Sequence, residues 1–324
     1  MIRYFFKIIF GGLTTVAVGI ILADLGLRAY SAFSPKLADF DLSTMAAAAS
    51  SVITKPTDGT SISGLKRTVL YSASEEEDLI NAAALALPSR LVKDVTAVAY
   101  LVRNTENGQI VAGQNPDKLV PIASLTKLVT AAVADRLIED DKTIKISGEV
   151  MKIYGNTGQF KVGETVRARD LYFPLLMVSS NDAAESLARS YGRRQFIQAM
   201  NDFVQSIGAY RTTFVDPSGL SADNRSTVND LAMILEWIRL NKPEIMEITK
   251  LKTKTVRTHT WVNPSHFLSW SNYEGGKNGY TDEANRTAVA LFAMGKEKII
   301  YEIIILGSKV RDADMVKLLA KIKS

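Results

Sequence analysis

A serine three residues ahead of a lysine can act as a nucleophile without any histidine, and this sequence holds such a pair at Ser124 and Lys127. A serine hydroxyl is a weak nucleophile near neutral pH and needs a base beside it. A lysine amine can be that base once burial and a second positive charge lower its pKa. The chain has no cysteine and only two histidines, His259 and His266, which are not spaced as metal ligands. H-E-x-x-H and G-x-S-x-G are both absent. A hydrolase built on this chain must therefore use a base other than histidine, and neither a metal nor an organic cofactor is expected.

Two further clusters follow Ser124-Leu-Thr-Lys127: Ser179-Ser-Asn181, 55 residues on, and Lys277-Asn-Gly279, 98 residues later. Each triplet is weak alone, since Ser63-Gly-Leu-Lys66 and Lys161-Val-Gly163 repeat two of the patterns elsewhere. Context separates them. Ser124 follows Val120-Pro-Ile-Ala123 and opens an apolar helix, where residues i and i+3 share a face. Ser63 lies in a small-residue run and Lys161 in a polar turn. Lys277 would supply the second positive charge, Ser179 a proton relay to the leaving group, and Asn181 a hold on Lys127 and on a substrate amide. Gly279 would let two backbones approach closely. The amides of Ser124 and Tyr280 would form an oxyanion hole, worth roughly 3 kcal/mol per donor. Read locally, Ser124 and Ser179 are helix caps and Gly275–Gly279 is a hairpin turn. The order of the three clusters argues for the chemical reading.

The elements that must hold these residues form an α+β pattern. Val95–Val102 and Gln109–Ala112 read as strands joined by an Asn-Thr-Glu-Asn-Gly turn. Helical stretches come next at about 124–138, 168–177, 182–191, 194–207 and 228–240, the last opened by a Thr227-x-x-Asp230 capping box. Thr287–Ala293 and Ile299–Leu306 read as strands around a Gly295-Lys296 turn, and Asp312–Lys323 as a final helix. Strands at both ends with helices between predict one sheet that unites the two ends of a domain spanning 94–324. Trp261, Trp270 and Tyr273 read as core before groove, and Asp216–Leu220 as a loop closure.

Ahead of that domain, Arg3 and Lys7 precede an uncharged run, Ile8–Ala23. With Lys7 snorkelling, the span is long enough for a bilayer, and the leading charges put the rest of the chain outside. We read residues 1–30 as a single-pass anchor in preference to a cleaved signal peptide, with the catalytic domain extracytoplasmic. Residues 31–93 read as a turn-rich tether with a short helix at Glu75–Leu87. A net charge of +5 without a basic cluster argues against nucleic acid as a partner.

The three clusters in this order resemble the penicillin-binding D-alanyl-D-alanine carboxypeptidases, with their S-x-x-K, S-x-N and K-[TS]-G motifs. The likeness extends to Met177–Ala184, Phe214–Leu220 and Gly275–Ala284. It implies a β-lactamase/transpeptidase-like sandwich, an antiparallel sheet flanked by helices, with an all-helical subdomain. It also implies an acyl-enzyme on Ser124, peptidoglycan stem peptides as substrate and β-lactams as covalent inhibitors. Asn278, Gly279, Tyr280, Thr281 and an arginine after the last strand, Arg311, would bind substrate. Asn278 departs from the usual threonine or serine, and altered affinity for the substrate carboxylate is expected. A DD-endopeptidase, a β-lactamase or a catalytically silent wall-binding homologue would share these motifs. Val215-Asp-Pro-Ser218 lacks the glutamate that class A β-lactamases use to release the acyl group, so a bound penicillin is expected to stay.

Overall fold

Alternation of side chains along the strands places this domain's sheet between two apolar layers. The computed structural model describes residues 92–322. Its strands are β1 (Ala99–Asn104), β2 (Ile110–Gln114), β3 (Val120–Pro121), β4 (Thr143–Lys145), β5 (Thr165–Arg167), β6 (Arg225–Ser226), β7 (Thr253–Val256), β8 (His259–Val262), β9 (Tyr273–Thr281), β10 (Asn285–Met294) and β11 (Ile299–Ser308). The helices are α1 (Thr126–Leu137), α2 (Ala168–Met177), α3 (Asn181–Tyr191), α4 (Arg193–Ser206), α5 (Val228–Asn241), α6 (Pro243–Lys250) and α7 (Arg311–Ile322).

Five strands form one antiparallel sheet in the order β2-β1-β11-β10-β9. The first strands pair with the last, as the strand–helix–strand pattern predicts. Successive strand residues point to opposite faces, and the sheet uses both. Tyr100, Val102, Ala290, Phe292, Ile303 and Ile305 pack with Met315 and Leu318 of α7. Leu101, Val289, Leu291, Ile304 and Leu306 pack in the larger core with α1 to α6. This is an α+β sandwich with most helices on one face.

The differences from the sequence reading are local. Ser124 lies in a 3₁₀ turn, Ala123–Leu125, and the α-helix starts only at Thr126. Gly275–Gly279, which also reads as a hairpin turn, is strand throughout. The helix at Pro243–Lys250 and the β7–β8 hairpin carry no strong signal, because their apolar residues are few and partly exposed. Thr227 caps α5, its Oγ1 accepting from Asp230 N at 3.0 Å, while the Asp230 carboxylate accepts from Arg211 N and Thr212 Oγ1. Trp261 is buried and stacks on His259, while Trp270 and Tyr273 pack on Phe267 and Phe292, so these aromatics are core. The anchor over 1–30 and the tether with its Glu75–Leu87 helix lie outside the described residues. Among the described residues no helix is long and apolar enough to cross a membrane.

Candidate active site

Ser124 is fixed by close contact on two sides. Its predecessor Ala123 has φ of +49°, a left-handed conformation that costs a β-carbon-bearing residue energy. The Asp216–Ser221 loop holds that conformation. A β-carbon on Gly219 would lie 1.9 Å from Ala123 O, so the loop backbone fits under Ala123 only as glycine. On the other side, a β-carbon on Gly279 of edge strand β9 would lie 2.9 Å from Ser124 N. The close backbone approach expected of Gly279 is therefore present. The start of α1 is tied to the same loop: Thr130 Oγ1 donates to Pro217 O at 2.5 Å, and Asn224 Nδ2 to Thr126 Oγ1 at 3.2 Å.

Lys127 is fully buried and its Nζ donates to Ser124 Oγ at 3.0 Å and to Ser218 O at 2.6 Å. Burial first, and then the charge of Lys277, push its pKa well below the usual lysine range; Asp216 and Asp182 oppose the shift. Such a shift favours the neutral amine, the form that can take a proton from Ser124. Burial alone would raise the Asp216 carboxyl, but donors from Ser221, Ser218 and Gly219 outweigh it and hold the group below its ordinary value.

On the far wall Lys277 Nζ donates to Ser179 Oγ at 2.9 Å and to Asn278 O at 2.7 Å. Burial and the nearby Arg311 guanidinium bring Lys277 down to about 7. Ser179 itself has φ of +58°. Ser179, Lys277, Asn278 and Arg311 line a common cavity of about 210 Å³, with Leu176 and Met177 as an apolar wall. A larger groove of about 530 Å³, bounded by Asp135, Tyr172, Ile245 and Thr255, holds none of the motif residues.

Two side chains have structural partners in place of the roles expected of them, and the role expected of Tyr280 falls to its backbone amide. Asn181 Nδ2 donates to Tyr154 O at 2.7 Å, so the amide holds a neighbouring loop rather than Lys127. Thr281 Oγ1 accepts from Ala284 N at 3.1 Å and closes the β9–β10 turn. The Tyr280 side chain is exposed and donates to Asp282 Oδ1 at 2.9 Å, leaving only its backbone for the cleft. Ser218, read as part of a loop closure, accepts from Lys127 Nζ through its carbonyl oxygen, and Asp216 holds Ser218 in turn. The signal for them is the Asp-Pro-Ser-Gly run, which ranks locally as an ordinary turn. Among the described residues no cluster of His or acidic side chains could hold a metal ion.

A buried amine on a serine hydroxyl, facing a second lysine across a cleft beside an edge strand, defines the lysine-assisted serine acyl-transferases. The chain belongs to the D-alanyl-D-alanine carboxypeptidase family, whose sequence model matches residues 84–309. It is 34% identical over 212 residues to a D-alanyl-D-alanine endopeptidase of Pseudomonas aeruginosa, covering 61% of this chain and 68% of that one. Among solved structures, a D-alanyl-D-alanine carboxypeptidase of Mycobacterium tuberculosis superposes with a TM-score of 0.66 at 28% identity, covering 72% of this chain and 92% of that one. Penicillin-binding protein D2 of Listeria monocytogenes, in its cefotaxime-bound form, gives 0.61 at 29% identity, covering 70% and 97%.

Proposed function

We propose that this protein is a serine-type D-alanyl-D-alanine carboxypeptidase that trims peptidoglycan stem peptides. The observation that carries the reading is the 3.0 Å hydrogen bond from Lys127 Nζ to Ser124 Oγ, in a buried position where the amine is held well below its usual pKa. Neutral Lys127 takes the proton of Ser124 as Oγ attacks the carbonyl between the two terminal D-alanines. Charge on the carbonyl oxygen meets the amides of Ser124 and Tyr280. Ser179, backed by Lys277, passes a proton to the departing amine, and D-alanine leaves with its carboxylate near Lys277, Arg311 and Asn278. Water then attacks the ester on Ser124, returning the hydroxyl and a stem peptide shorter by one residue.

The relative named an endopeptidase supports a second reading, in which the same acyl-enzyme forms but the departing amine belongs to a cross-linked peptide. β-Lactams fit the same site as covalent inhibitors, with slow release for want of a glutamate in Val215–Ser218. The run Ile8–Ala23 behind Arg3 and Lys7 supports a membrane anchor, with the catalytic domain extracytoplasmic. Mass analysis of products tests the assignment. Release of free D-alanine from a D-Ala-D-Ala pentapeptide is the expected result. Cleavage of a cross-linked peptide dimer alone would favour the endopeptidase, and no cleavage of either would contradict both.

A further inference from the structure

Beside the Asp216–Ser221 loop lies a cavity of about 560 Å³ that no step of the proposed reaction uses. The loop contributes Ser218, Leu220 and Ser221 to its lining, and α3 and α4 contribute Glu185, Arg189 and Arg193. Two supports of the motif side chains border it. Ser218 gives its carbonyl oxygen to Lys127 Nζ at 2.6 Å. Ile153, a further lining residue, precedes Tyr154, whose carbonyl accepts from Asn181 Nδ2 at 2.7 Å. None of Ser179, Lys277, Asn278 and Arg311, which line the leaving-group cavity, lines this one.

The arginines are held in a particular way. Glu185 is buried, and its Oε1 accepts from Arg189 Nε at 2.8 Å and from Arg193 Nε at 2.7 Å. One carboxylate oxygen therefore orients two guanidinium groups. Arg189 is also paired with Glu149. Arg193 has no other ion pair or side-chain hydrogen bond among the described residues, and it stays 42% exposed. Its two terminal nitrogens form a fork, the geometry that takes a carboxylate through two parallel hydrogen bonds. Asp216, the other acid of the lining, is turned into its own loop, where it accepts from Ser218, Gly219 and Ser221. Leu220 is partly exposed and adds an apolar contact.

We propose that Arg193, oriented by Glu185, is a specificity-determining residue that binds a carboxylate on the part of the substrate retained as the acyl group. The inference rests on the carboxypeptidase reading, in which D-alanine departs into the cavity of Lys277 and Arg311 while the rest of the stem peptide stays on Ser124. The retained chain runs off the nucleophile away from that cavity, toward the one bordered by the supports of Lys127 and Asn181.

Two D-Ala-D-Ala pentapeptides separate this role from a structural one. They differ only in the residue before the D-alanines, which carries a side-chain carboxylate in one and the matching carboxamide in the other. The native protein should cleave the carboxylate peptide with a kcat/KM roughly tenfold higher, mostly through KM, as a charge-assisted fork predicts. Arg193→Gln should abolish that preference and leave the carboxamide peptide within about twofold of native. Arg193→Lys, which keeps the charge without the fork, should retain part of it. If Arg193→Gln does not fold, the native protein still gives an answer, because raising ionic strength should narrow its preference for the carboxylate. No preference in the native protein, a preference that salt leaves unchanged, one kept in Arg193→Gln, or an equal loss on both peptides would overturn the inference. Failure of the carboxypeptidase reading looks different, since neither peptide would then release D-alanine.

Discussion

At the scale of single residues, the site is a pair of lysines set to opposite tasks by their surroundings. Lys127 must be neutral to work and Lys277 must be charged. With Lys277 near 7 in the free protein, its charge is lost as pH rises through that value. Losing it weakens the hold on the leaving carboxylate and relaxes the depression of Lys127. The pH profile of kcat/KM reports free-enzyme groups and is expected to fall on its alkaline side from about 7. Arg311 is a cause of that low value, so Arg311→Gln should raise KM and move the alkaline limb to higher pH. An unmoved limb would separate Arg311 from Lys277. The five motif side chains, Ser124, Lys127, Ser179, Asn181 and Lys277, were legible in the sequence because their types and order are restrictive. Asp182 and Asp216 were not, because an acid near a helix start or in a Pro-Ser-Gly turn has an ordinary local explanation. Only the tertiary packing shows that both are buried and tie down the loops around the site.

At the scale of elements, two glycines set the position of the nucleophile. Gly219 adopts φ of +85° under Ala123 O, and Gly279 passes Ser124 N on β9. Gly219→Ala combines a left-handed alanine, about 1–2 kcal/mol, with overlap against backbone that cannot swing aside. A lowered Tm together with lost activity is expected, and a native Tm would contradict the packing. Gly279→Ala adds a β-carbon 2.5 Å from Thr287 Oγ1 and 2.9 Å from Ser124 N without positive-φ strain. It should cost activity more than stability, measured as kcat/KM against thermal melting. Element boundaries followed the sequence where apolar periodicity is strong, as in α2 and β11. The sequence missed the 3₁₀ turn around Ser124, because that turn is imposed by the loop beneath Ala123 and not by local propensity. It also missed α6, a short helix whose buried residues are Ile245, Met246 and Thr249.

At the scale of the whole described domain, one sheet joins the ends of the chain, and a buried acid lies within it. Glu302 on β11 is fully buried, pairs with Arg103 Nε on β1 at 2.5 Å, and leaves Oε2 unpartnered. Burial outweighs the arginine and raises its pKa to about 7. A folded pKa above the unfolded value contributes stability that is present at low pH and lost as pH rises through the folded value. The urea midpoint should therefore decline between pH 5 and about 7 from this group, and Glu302→Gln should flatten that decline; an unchanged slope would reject the assignment. The strand–helix–strand order made the shared sheet legible in the sequence, whereas the Glu302–Arg103 pair required the β1–β11 register. Within this domain Ser124, deprotonated by Lys127, is expected to take up an acyl group. Intact-mass analysis after incubation with benzylpenicillin tests this most directly. One persistent adduct is expected, mapped to Ser124, absent in Ser124→Ala and strongly slowed in Lys127→Met; no adduct on the native protein, or one that survives Ser124→Ala, would rule this chemistry out.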